Sequence, residues 1–159
     1  MASTTTNTSL EQAKGRNELA EAVGEHTVET VLRADHVLVG ELRVVSADEA
    51  ALPSSLEAVD RIAGYPTAYG LQPLDVSVAR ARQKAFLDWE NYDPSWRSRC
   101  KTERIYGFRF TRGDERVDIA LTDPCWLAIW SFQLGSKRER WAAAFNVDLG
   151  PTLVLPPRT

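Results

Sequence analysis

A chain of 159 residues with a formal net charge of −3 has the length of one domain, and its acidic balance argues against partners that demand a basic surface, nucleic acid and anionic lipid among them. Apolar residues make up 43% and charged residues 26%, an ordinary globular composition. No stretch approaches the roughly 18 consecutive apolar residues of a membrane-spanning helix.

The first residues, Met1 to Asn7, are polar and Thr-rich and lack the apolar segment of a secretory signal. They point to a disordered terminus over residues 1–8, with residues 9–155 forming a single α+β domain. Two cysteines, Cys100 and Cys125, fit a reduced compartment, and the expected location is the cytoplasm. Ser9-Leu10-Glu11-Gln12 has the spacing of a capping box and opens a helix that Gly24 ends. Val28, Val31 and Leu32 then share one face of a short helix from Thr27 to Arg33. The run Asp35 to Val45 is rich in β-branched residues and reads as the first strand. A second capping box at Ser54 predicts a short helix carrying Leu56, Val59 and Ile62, stopped by Gly64 and Pro66. After a loop from Tyr65 to Pro73, a long helix is predicted from Leu74 to Glu90. Its core stripe is Leu74, Val78, Ala81, Ala85 and Trp89, with Arg80, Arg82 and Lys84 toward solvent.

Beyond a second loop, Asn91 to Lys101, the apolar period changes to two. Ile105 to Thr111, Glu115 to Thr122 and Cys125 to Phe132 read as three consecutive strands. Gly113-Asp114 suits a two-residue reversal, because glycine accepts a positive φ without steric cost. That turn sets Arg112 opposite Glu115, Phe110 opposite Val117, Phe108 opposite Ile119 and Tyr106 opposite Leu121. One face of the hairpin is then wholly apolar, and Arg109 meets Asp118 on the other. A slip of one residue destroys both patterns at once. The third strand alternates Trp126, Ala128 and Trp130 with Leu127 and Ile129, so it reads as buried on both sides, a neighbour of the Val37 to Val45 strand. Ser136-Lys137-Arg138-Glu139 looks like a third capping box and predicts a closing helix that buries Trp141, Ala142 and Phe145. The resulting fold class is α+β, an antiparallel β-meander of about four strands packed against helices.

No phosphate loop, nucleophile elbow or metal-binding motif is present in the sequence. A disulfide between Cys100 and Cys125 has to bridge two interstrand spacings, about 9.6 Å, against the roughly 7 Å limit for the Cα atoms. Two free thiols are the simpler reading. His26 and His36 lack zinc-ligand spacing, and nothing pairs either with a thiol; no metal and no cofactor are expected.

Two other constellations remain. The loop aromatics Tyr65, Tyr69, Tyr92 and Trp96 exceed what a small core requires, and Tyr and Trp are enriched where proteins dock. Their alternative role is to close the ends of the core. Asp88, Glu90, Asp93 and Arg97 flank Trp89 and Tyr92, a polar cluster with aromatic walls of the kind a sugar or other small ligand uses. Its plainer reading is a solvated helix end. The sequence therefore favours a non-catalytic protein-interaction or accessory protein with aromatic loops. The alternative is a small-molecule binder or hydrolase using the acidic cluster.

Arg99-Cys100-Lys101, Tyr106-Gly107-Phe108-Arg109-Phe110, Arg112-Gly113, Val117-Asp118-Ile119 and Cys125 together resemble a group of small uncharacterised bacterial proteins. In that group an aromatic, glycine-containing hairpin lies between two cysteines. Ala34-Asp35-His36-Val37 and Ile62-Ala63-Gly64-Tyr65-Pro66 are similar to its upstream strand and turn, so the likeness spans residues 31–132. It implies this order of elements and carries no activity or site residue with it.

Overall fold

A computed structural model describes residues 18–45, 60–95, 101–124 and 126–146. Helix α1 occupies residues 18–23 and breaks at Gly24 into α2, Glu25–Leu32. Strand β1, His36–Leu42, follows, then two short strands, β2 (Arg61–Ile62) and β3 (Tyr65–Pro66), which pair only with each other. Next come β4, Gln72–Pro73, and helix α3, Val76–Leu87. A 3-10 turn at Trp89–Asn91 leads into β5, Tyr92–Asp93. Four long strands complete the described chain: β6 (Arg104–Arg112), β7 (Glu115–Asp123), β8 (Leu127–Leu134) and β9 (Lys137–Phe145). The main sheet is seven-stranded in the order β4-β1-β6-β7-β8-β9-β5, and every pairing in it is antiparallel.

The β6–β7 hairpin has the register its residues predict, from Arg112↔Glu115 through Phe108↔Ile119 to Arg104↔Asp123. Gly113 turns it with φ 58°. Tyr106, Phe108 and Phe110 with Val117, Ile119 and Leu121 form the centre of one sheet face, continued by Val37 and Val39 on β1 and Ala128, Trp130 and Phe132 on β8. The helices cover this face. Leu19, Val23, Val28 and Val31 come from α1 and α2, and Phe86 from α3 packs its ring against Phe108, Phe110 and Phe145 at centroid distances of 5.1, 6.1 and 5.2 Å.

The opposite face is divided. Leu42, Ile105, Ala120 and Ile129 are apolar and lie under Ile62 and Ala63 of the small β2–β3 hairpin. Toward the β6–β7 turn the same face becomes polar, with Arg109, Asp118 and Ser131 in successive strands. Residues 66–74 close the outer edge of β1: Arg43 N donates to Pro66 O, Ala68 N to Glu41 O and Leu74 N to Val37 O, all at 2.8–2.9 Å. Gly40 permits this approach, since a Cβ there lies 2.7 Å from Gly70 O. At the other edge β5 covers only the end of β9, through Tyr92↔Phe145 and Asp93↔Ala144.

Several expectations need correction. The sheet has seven strands where about four were expected. The segment after Ser136 is strand β9, and Gly135, at φ 61°, and Ser136 form the turn of a β8–β9 hairpin. Lys137-Arg138-Glu139-Arg140-Trp141-Ala142 has helix-forming composition, but the open edge of β8 supplies a ladder of eight partners and overrides local propensity. Consequently β8 neighbours β7 and β9, and β1 lies beside β6. Ile62 belongs to β2, while Leu56 and Val59 fall outside the described residues. Helix α3 is shorter than predicted and rotated: its buried residues are Ala79, Arg82, Phe86 and Leu87, so Arg82 lies inward and Ala81 outward. Burial lowers the Arg82 pKa from its ordinary value.

Candidate functional site

The β6–β7 ladder runs to the tip of its hairpin, and the β8–β9 ladder does the same to Leu134↔Lys137. Between these hairpins, β7 and β8 pair only from Leu121↔Ala128 to Asp118↔Ser131. Beyond that point the two strands part, and α2 lies alongside the gap. The result is a cleft of about 580 Å³ whose walls include His26 and Thr30 of α2, Glu115 and Arg116 of β7, and Gln133 and Arg138 of the second hairpin.

The floor of the cleft adjoins a charge cluster on the polar half of the sheet. Asp118, 1% exposed, accepts from Arg109 Nε at 2.9 Å and from Arg109 Nη2 at 3.2 Å. The same Arg109 donates to Asp60 Oδ2 and to Arg61 O, each at 2.7 Å. Burial opposes the Arg109 charge, yet the hydrogen bonds and charges of Asp118 and Asp60 prevail and hold its pKa above the usual arginine value. Two further guanidiniums converge on Asp118: Arg116 Nε at 3.5 Å and Arg138 Nη2 at 3.7 Å.

Arg138 is fixed across the gap. Its Nε donates to Ser131 Oγ at 2.9 Å, Nη2 to Ser131 O at 3.0 Å, and Nη1 reaches Arg116 O at 3.4 Å. A side chain from β9 thus spans β8 and satisfies a β7 carbonyl where the ladder has ended. Burial lowers the Arg138 pKa; Asp118 opposes that shift, while Arg116 and Arg109 add to it. On the α2 side, Glu115 Oε2 lies 2.6 Å from His26 Nε2 and 3.1 Å from Thr30 Oγ1. The Thr30 hydroxyl is 2.9 Å from His26 O, and Thr30 itself is 1% exposed. The cleft therefore offers fixed donors and two carboxylates, Asp114 and Glu115, and its two threonines, Thr27 and Thr30, are buried. Such a constellation suits holding a polar molecule rather than attacking one.

The structure distributes the sequence-predicted residues differently. Tyr65, on β3, is half-buried against the Leu42–Ile62 cluster, and Tyr69 is 61% exposed in the segment that borders β1. Tyr92 is a core residue, 7% exposed, donating to Phe86 O at 2.6 Å and accepting from Trp130 Nε1 at 3.2 Å. Burial pushes its phenol pKa well up; the Trp130 bond lowers it in part, and the Asp88 charge raises it further. Tyr65 and Tyr69 border β1 while Tyr92 sits beyond β9, so the aromatic loops flank opposite edges of the sheet and form no common face. Trp96 and Arg97 lie outside the described residues, as do Cys100 and Cys125.

In the acidic alternative, Asp88 Oδ1 accepts from Glu90 N, and Asp93 Oδ1 accepts from the amide and hydroxyl of Ser95. Both carboxylates cap local turns. Trp89 stacks on Trp141 at 6.0 Å, so that wall is occupied by protein. Among the described residues no group of three His, Cys, Asp or Glu side chains is placed to hold a metal ion, and no helix is long and apolar enough to cross a membrane.

Sequence reasoning missed the cleft because it requires β9 to be a strand. A signal was present for half of it. In the hairpin register Arg116 stands two residues from Asp118 and shares its face. Arg138 joins that face only once Ser131↔Arg140 and Gln133↔Arg138 are known to pair. No protein-family model, curated protein or solved structure matches the chain.

Proposed function

We propose that this chain is a non-catalytic binding protein that holds a small polar ligand in the cleft between the β6–β7 and β8–β9 hairpins. The observation that carries the reading is the end of the β7–β8 ladder at Asp118↔Ser131, with Arg138 fixed across the opening. Where the ladder stops while both neighbouring ladders continue, polar side chains of α2, β7 and β9 line one space, and convergent polar groups in a concavity mark a ligand site. The formal charge of −3 argues against nucleic acid as the ligand, and two cysteines in the chain favour a reducing cytoplasm.

A library of small polar metabolites screened by amide NMR tests the proposal. The expected result is a binder whose shifts concentrate at residues 26–30, 114–117 and 133–138. Binders whose shifts fall elsewhere, for instance around Asp88 to Asp93, would overturn it.

A second reading, docking of a protein partner on the segment after β3, is favoured by the exposure of Tyr69. Affinity capture of the full chain from its native host, repeated with Tyr69→Ala, tests this separately. A specific partner lost from the variant supports the second reading, and equal capture by both removes it.

A further inference from the structure

We infer that the cleft recognises its ligand through an oxyanion, a phosphate or a carboxylate, held between Arg116 and Arg138; this rests on the reading of the cleft as a ligand site. The argument is one of charge balance in a confined place. Three guanidiniums, those of Arg109, Arg116 and Arg138, converge on the single carboxylate of Asp118. Arg109 takes that carboxylate in a two-point contact and uses Asp60 as well. Arg116 and Arg138 remain at 3.5 and 3.7 Å from one oxygen already shared with Arg109, and both line the cleft.

Each of the two has a distinct part. Arg138 is held by three main-chain and hydroxyl acceptors, so its charge is pre-positioned and costs no ordering on binding. Arg116 meets Asp118 through Nε, which turns the outer edge of its planar fork away from that contact. A guanidinium edge matches two oxygens of a phosphate or carboxylate. Two carboxylates also line the cleft, Asp114 in the β6–β7 turn and Glu115 beside it; Glu115 is engaged by His26 and Thr30, which draws its charge toward α2 and away from the arginines. A ligand that fits both walls carries an oxyanion at one end and hydroxyl or amine donors at the other.

Amide NMR titrations of the full chain with inorganic phosphate and with succinate, at constant ionic strength, test the inference. The expected result is saturable shifts at Arg116, Gln133 and Arg138 with at least one probe, and the responding probe identifies the oxyanion. Arg116→Gln should weaken binding by roughly tenfold or more. Lys137→Gln, an equal charge change at the same hairpin tip, should alter it by less than about twofold. Arg116→Lys, which keeps the charge without the fork, should fall between and guards against a folding defect in the glutamine variant. Equal weakening by Arg116→Gln and Lys137→Gln would mean a diffuse field and would overturn the inference. So would silence of the cleft amides to both probes. If neutral polyols then moved those amides, the oxyanion would be wrong and the cleft reading would survive; if no small molecule did, both would fall.

Discussion

Asp118 has almost no contact with water and is surrounded by positive charge. Removing it leaves the Arg109 guanidinium, itself only 8% exposed at the side chain, without its main counter-charge. Asp60, half-exposed, still meets Arg109 Nη1 at 2.7 Å and offsets part of that charge, so Asp118→Ala should lose about 3 kcal/mol, the low end for breaking a buried pair, in chemical denaturation. The double variant Asp118→Ala, Arg109→Met should recover a large part of that loss, because the orphaned charge goes too. If the double variant is as unstable as the sum of the singles, the two side chains do not act as a pair. Tyr92 behaves oppositely, as a neutral group whose charged form burial excludes. Its folded pKa is raised, so the stabilisation is fully present below the unfolded phenol value of about 10 and is lost as pH climbs from there toward the folded value. Tyr92→Phe should therefore cost about 1 kcal/mol at neutral pH through the lost Phe86 bond, yet flatten the fall in stability expected in urea titrations above about pH 10.

At the scale of elements, the packing of α3 on the sheet depends on one ring. Phe86 touches aromatic side chains from both β6 and β9, so Phe86→Ala should cost about 3–5 kcal/mol and expose the centre of the helical layer. Gly40→Ala acts from the other edge: its new Cβ meets the Gly70 carbonyl, a main-chain atom that cannot swing aside. We expect faster proteolysis within residues 66–74 and a loss of about 1–3 kcal/mol. Proteolysis unchanged in that segment would show that the strap yields freely.

These elements also show where the sequence was legible. The β6–β7 register could be derived from alternation and one glycine, since only one alignment puts three aromatic rings on a dry face and Arg109 beside Asp118. The path of β9 could not. Its Ala, Glu and Arg content matches a helix, and only the unfilled edge of β8 decides otherwise. Tyr92 misled for a related reason. It follows a helix end and resembles a loop aromatic, but two ladder pairs with β9 tuck it beneath Trp130 and Trp141. Of the loop aromatics singled out in the sequence, Tyr92 is consumed in that stack, whereas Tyr65 packs on the Leu42–Ile62 cluster and Tyr69 stays exposed.

On the scale of the whole molecule, the two sheet edges are treated differently. Residues 66–74 run along nearly all of β1, whereas β5 shields only the last residues of β9, and among the described residues no strand borders Lys137 to Ala142 on the outside. That stretch begins with four consecutive charged residues, of which Lys137, Glu139 and Arg140 are exposed and Arg138 is held against Ser131 and Arg116. Charge along an unshielded strand is a known barrier to intermolecular pairing. The barrier is removable without touching the cleft: a chain bearing Lys137→Val, Glu139→Val and Arg140→Thr should keep its phosphate response yet grow in light scattering as concentration rises. The price of a short fifth strand is thus a standing obligation on its neighbour, which repels copies of itself electrostatically along a stretch that no described segment covers sterically.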